Sequence, residues 1–271
     1  MINSVWCESL PCEEDGLPHP VFSKDNYWYK WYRDALLFFA HEGNGRYYTL
    51  PTFGNHSTDT LGLIRGIQNL MLDIVDRPEW VRAQDRQIAD ILIDIINERF
   101  LDVEKNKVEG YINDASMWAP KRPWGLHCDI SYCISTEVFK YLFWESQIRI
   151  ADMTEYAYFH VDGVGVLNHL DLILSERRIR AIQWLPGDGR NYPMQWIDVY
   201  RKVQEKGRSL QIYAEYDDVL PILKEIKPNG VCINVINCPN EDEGYRIVEE
   251  VEKFYVDSLF NIDKSTVILS H

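Results

Sequence analysis

The chain has 271 residues, 46% hydrophobic and 26% charged, with 15 Gly and 12 Pro, which provides for a sizeable core and excludes a disordered, collagen-like or disulfide-dominated chain. Lys plus Arg total 28 against 42 Asp plus Glu, a formal charge of −14 with a pI near 4.9, so most of the surface repels a phosphate backbone and nucleic acid is excluded as an expected partner. The six cysteines are few for the length, the start MINSVWCESLPCEEDG has no basic and apolar signal-peptide regions, and no apolar run reaches the about 18 residues of a membrane span; a reducing, cytoplasmic protein is expected.

In chain order, the first 45 residues are aromatic and irregular, with NYWYKWYRDALLFFAHEGNG predicting an amphipathic helix closed by a Gly-Asn-Gly turn. Gly45 to Phe53 reads as a strand, and residues 58–75 as one helix with Ser57, Thr58 and Asp59 as possible caps. Pro78 interrupts, and a second helix runs from about 79 to 100. VEGYINDASMW (108–118) and WGLHCDISYCI (124–134) are strand-like runs joined by APKRP, forming a hairpin or two separate strands, and a helix follows from Ser135 to about Glu155.

From Tyr156 the pattern becomes regular: AYFHVDG, RAIQWLPG, SLQIYAEY and GVCINVI read as strands, each followed by a helical stretch. Four successive βα units predict a parallel sheet. The short αβ links leave no room for a linker, so one α/β domain spanning 1–271 is expected, with residues 1–45 packing on it.

Buried parallel strands should be almost wholly apolar, yet polar side chains recur here at period two. His160 and Asp162 share a face with Tyr158; His127, Asp129 and Ser131 form another such face, as do Gln211, Tyr213 and Glu215, and then Cys232 and Asn234. A TIM-like barrel with outer helices and a polar mouth accounts for this phase; a satisfied polar network that only fixes register is the other account. Barrel sites lie at strand C-terminal ends, which singles out Asp162, Gly163, Trp184, Glu215 and Cys238. Asp129 and Glu215 are the candidate acid or base groups, since carboxylates aimed into a partly apolar barrel hold their protons more tightly. Trp184, Tyr213 and Asn234, with His127 and Gln211, are the candidate substrate-binding residues. The Gly187-Asp188-Gly189 turn lacks the third glycine of a dinucleotide fingerprint, and there is no P-loop. Cys128 falls on the apolar phase and reads as a buried small hydrophobe.

The stretch AYFHVDGVGVLNHLDLILSERRIRAIQWLPGDG, followed by SLQIYAEYDDVLPILKEI and GVCINVINC, resembles the fifth to eighth strands of the uroporphyrinogen decarboxylase-like barrels, which include the cobalamin-dependent methyltransferases. LIRGIQNLMLDIVDRPEWV and HCDISYCISTEVFKYLF resemble the helix after the third strand and the entry to the fourth, and the resemblance covers about residues 45–255. It implies a (β/α)8 barrel lacking the family's first one or two strands, and an open edge that a second copy of the chain would cover.

The methyltransferase branch carries zinc on a His-x-Cys of the fifth strand and a Cys after the eighth; here the matching positions are His160, Asp162 and Cys238, with a hard carboxylate replacing a thiolate. The resemblance thus implies methyl transfer between a methylated corrinoid, which a corrinoid protein would carry, or a small methyl donor and a thiol-type acceptor. Zinc would be the metal, with Glu215 and Asp129 assisting. The alternatives are a decarboxylase acting on a small carboxylate, against which the missing Arg-rich segment counts, and a partner-dependent subunit without activity of its own.

Overall fold

The computed structural model describes residues 20–43, 45–51, 56–106, 108–187 and 192–260. The chain divides into two compact units, Met1–Asp188 and Gly189–His271. Asp188 and Gly189 of the Gly-rich turn, residues 52 and 53 of the strand expected over Gly45–Phe53, and Cys7 and Cys12 lie outside the described residues.

In the first unit α1 (Tyr27–Gly43) begins where the Asn26 side chain accepts from the amides of Trp28 (2.9 Å) and Tyr29 (3.2 Å). Among the described residues of the strand expected over Gly45–Phe53 there is one bridge, Thr49 beside Tyr111. The single helix expected over 58–75 is two, α2 (Ser57–Arg65) and α3 (Ile67–Asp76). Gly66 separates them at φ +83°, a left-handed backbone that closes α2 by donating to the Gly62 carbonyl (2.9 Å). Arg65 pairs with Asp73 across this break, Arg77 pairs with the same carboxylate from the end of α3, and the Arg77 guanidinium lies 4.2 Å from the Trp80 ring centroid.

Helix α4 (Pro78–Glu104) starts with proline in its first turn, where the missing N–H costs nothing. Its buried stripe of Val81, Asp85, Ile88, Ala89, Ile96, Phe100 and Val103 follows the helical period, and two carboxylates of this helix, Asp85 and Asp102, are buried. The hairpin lies within 111–119, where β1 (Tyr111–Ile112) pairs antiparallel with β2 (Trp118–Ala119).

Strand β3 (Pro123–Leu126) is shorter than the sequence suggests and gives way to a 3-10 turn at Asp129–Cys133. The expected long helix after Ser135 divides into α5 (Thr136–Leu142), which the Ser135 hydroxyl caps at the Val138 amide (3.3 Å), and α6 (Trp144–Ala151). Then come β4 (Tyr156–Asp162), α7 (Leu170–Ser175) and β5 (Ile179–Leu185). β4 pairs in parallel with both β3 and β5. Ala157, Phe159 and Val161 are buried on one face of β4 and Tyr158 on the other. Tyr158 lies against Ala115, Ala181 and Met117 and donates from its hydroxyl to Asp114 Oδ1 (2.7 Å).

The second unit contains α8 (Ile197–Glu205), β6 (Ser209–Glu215), α9 (Val219–Glu225), β7 (Val231–Ile236) and α10 (Glu241–Phe260). β6 and β7 pair in parallel in continuous register from Leu210–Val231 to Glu215–Ile236. The α/β class with parallel strands is therefore as expected, three such strands lying in the first unit and two in the second. Among the described residues, no helix is long and apolar enough to cross a membrane.

Candidate active site and metal centre

The polar side chains of the first unit converge at the C-terminal ends of β3 and β4. His160 is the fifth residue of β4, and the parallel register sets it directly beside Gln183 of β5. Its Nδ1 lies 2.6 Å from Gln183 Oε1, and because a carbonyl oxygen only accepts, the ring carries a proton on Nδ1 and leaves Nε2 to face Asp162. That Nε2 is 3.7 Å from Asp162 Oδ2. Burial acts to lower the His160 pKa, but Asp162, Gln183 and Asp129 together outweigh it and raise the value above 6.5; the same contact with His160 lowers that of Asp162.

His127 and Asp129 arrive by a different route from the one their spacing suggests. The strand ends at Leu126, so these residues are placed by the bend into the 3-10 turn and not by strand alternation. Three buried contacts fix that bend. Gln147 of α6 donates to the His127 carbonyl (2.7 Å), His169 Nε2 donates to the Ser131 carbonyl (2.8 Å), and the Tyr132 carbonyl comes so near Gly165 that a Cβ there would meet it at 2.6 Å. Gly163, at φ +82°, ends β4 immediately after Asp162 and donates to the Leu185 carbonyl (2.7 Å).

Three imidazoles stack in a column. His56 lies on His127 with centroids 4.0 Å apart and planes within 3°, and His127 lies on His160 at 4.2 Å and 20°. Burial, with the neighbouring His160 charge, lowers His56 to about 3, and burial beside both other rings takes His127 well below 6.5. The two inner rings are thus neutral at ordinary pH. Buried His127 Nε2 has no hydrogen-bond partner among the described residues.

Asp59, in the first turn of α2, completes the cluster by accepting from the Asp129 amide (3.1 Å). One ring nitrogen of His127 and one carboxylate oxygen each from Asp59 and Asp129 all lie within 4.8 Å of one another. Burial, reinforced by Asp129, raises Asp59 to about 7, and burial likewise raises Asp129. Beneath them Asp85 accepts from the Thr58 hydroxyl (3.0 Å) and is raised by burial to about 6.

Of the residues expected from sequence, the fold brings together His127, Asp129, His160 and Asp162. Cys128 is buried, as its phase suggested. Trp184 sits in the core at the end of β5, paired in register with Val161. The remaining candidates belong to the second unit. There Gln211 is buried and donates to the Ile212 carbonyl (3.3 Å), Tyr213 is partly exposed, and Asn234 accepts a long thiol contact from Cys232 (3.8 Å). Glu215 accepts twice from Asn237 (3.0 and 2.9 Å), and exposed Cys238 donates to the Asn240 carbonyl (3.3 Å). Sequence spacing did not single out Gln183, His56 or Asp59 for the site. Gln183 left a signal as the polar member of an apolar strand, whereas Asp59 looks like a helix cap.

No family model matches the chain, and no curated protein or solved structure does.

Proposed function

We propose that the chain is a uroporphyrinogen decarboxylase-like barrel enzyme that transfers a methyl group from a methylated corrinoid or small methyl donor to a thiol-type acceptor. The observation that carries this reading is the His160 arrangement at the end of β4. Gln183 holds the ring in one tautomer, and Asp162 stands 3.7 Å from the opposite nitrogen. Such a ring is a base with its charge compensation already in place.

In the proposed step, an acceptor thiol seated near the ends of β3 and β4 gives its proton to His160 Nε2. Asp162 then stabilises the imidazolium. The thiolate attacks the methyl carbon, a C–S bond forms as the donor–methyl bond breaks, and the electron pair of that bond stays with the donor. His56 and His127 continue the column beside His160 as flat, neutral surface.

The zinc set implied by the resemblance fits in part. His160 retains one nitrogen for a metal and Asp162 offers a carboxylate next to it, while Cys238 belongs to the second unit. A bound metal ion would supply positive charge that lowers the thiol pKa, with His160 Nε2 then its ligand in place of the base. A decarboxylase reading is favoured by a different observation, the raised Asp59 and Asp129, since a protonated carboxyl can quench the carbanion left when carbon dioxide departs.

Methyl transfer from methylcobalamin to a panel of small thiols tests the first reading, with a fall of about 100-fold expected for His160→Ala and about 10-fold for Gln183→Leu. Transfer that survives His160→Ala undiminished refutes it. Carbon dioxide release from candidate acids, lost in Asp59→Asn, would favour the second.

A further inference from the structure

We propose that Asp59, His127 and Asp129 bind one divalent transition-metal ion through two carboxylates and an imidazole, without a thiolate. This site is distinct from the His160, Asp162 and Cys238 set implied by the resemblance, and it stands on geometry alone, independent of the reaction proposed above.

The three ligand atoms lie within 4.8 Å of one another, a span that metal–ligand bonds of about 2.0–2.4 Å bridge with little adjustment. The second observation is the buried Nε2 of His127, which has no partner. A buried ring nitrogen without a hydrogen bond is costly to leave so, and a metal ion held by the ring is a partner that would offset that cost. Stacked between His56 and His160, the ring is already oriented before any ion arrives.

The carboxylates satisfy the charge requirement. Among the described residues, neither Asp59 nor Asp129 forms an ion pair with lysine or arginine; His160 offers part of the charge compensation, and a divalent cation would supply the rest. The backbone tie from the Asp129 amide to Asp59, with the Gln147 bond to the His127 carbonyl, holds the ligands before any ion arrives. Asp129 reaches solvent while Asp59 and His127 are partly covered. Three protein ligands with one side open leave a coordination position for water or substrate. One nitrogen and two oxygens suit zinc, manganese or iron(II) more than copper(I), and the imidazole disfavours calcium and magnesium.

The test uses the full chain, stripped with a chelator and dialysed against micromolar zinc or manganese, with metal content read by elemental mass spectrometry. Asp59→Asn, His127→Asn and Asp129→Asn are prepared beside Cys238→Ala. About one ion per chain is expected in the wild type and in Cys238→Ala, with affinity falling at least 10-fold to 100-fold in each of the other three. A cobalt(II)-loaded wild-type sample reads the donor set without any variant and should lack a thiolate charge-transfer band. A wild type that takes up no ion overturns the proposal. Stoichiometric binding that survives Asp129→Asn, or a thiolate band that disappears in Cys238→Ala, overturns it equally.

Discussion

Asp85 is wholly buried on α4 among apolar neighbours such as Val81, Ile88 and Ala89, with the Thr58 hydroxyl as a donor. Its native pKa of about 6 against an ordinary 3.8 means that the folded state binds the proton more tightly than the unfolded chain. The sign follows directly: stability contributed by the protonated form is complete below pH 3.8 and is lost as pH rises to about 6. At about 1.4 kcal/mol per pH unit the loss is about 3 kcal/mol, reached in full by pH 8. Asp85→Asn keeps the acceptor for Thr58 and cannot ionise. It should therefore stabilise the protein by about 2–3 kcal/mol at pH 8, and the gain should shrink below about 1 kcal/mol near pH 4. With a urea m-value of about 2 kcal/mol/M, the midpoint at pH 8 moves upward by about 1 M. Tryptophan fluorescence during urea unfolding at several pH values reads both quantities. A variant less stable than the parent at pH 8, or a difference that does not change with pH, refutes the reasoning.

His56 has the opposite sign. Its native value near 3 leaves stability complete above pH 6.5 and withdraws it as pH falls toward 3, so His56→Phe, which keeps the stack, should gain about 2 kcal/mol over the parent at pH 5 and nothing at pH 8 by the same titration. Asp162→Asn removes the largest support of the His160 charge, and the His160 imidazole, followed by NMR, should then titrate lower than in the parent; an unchanged titration assigns that charge to other groups. A Cβ at Gly125 would meet the Tyr158 hydroxyl at 2.5 Å and its ring at 2.6 Å. Because Tyr158 is fully buried and bonded to Asp114, Gly125→Ala should cost about 1–3 kcal/mol in thermal or urea unfolding, whereas an unchanged stability would show that β3 and β4 separate easily.

The legible parts of the site are those whose placement is local. His160 and Asp162 could be read from a two-residue period because β4 runs through both. His127 and Asp129 were also singled out by that period, but the strand stops at Leu126 and a turn places them, so their residue types were the informative signal. Asp59 meets Asp129 across 70 positions of sequence, and its own neighbourhood reads only as the start of a helix. The same limit hid Gly66, because an isolated glycine in an amphipathic run breaks the helix only when its φ turns positive, as it does here. The parallel βα pattern after Tyr156 was plain because every strand carries its own apolar run and turn.

The column of three imidazoles limits how much positive charge this end of the unit can hold. Two adjacent imidazolium rings about 4 Å apart repel by roughly 4 kcal/mol at an effective dielectric constant of 20, or about three pH units. One ring at a time therefore carries the charge, and Asp162 selects His160 for it. Any cation that settles against His127 draws on the same single allowance. Occupancy there should make His160 a stronger acid, and proton uptake at His160 should loosen the cation by the same factor.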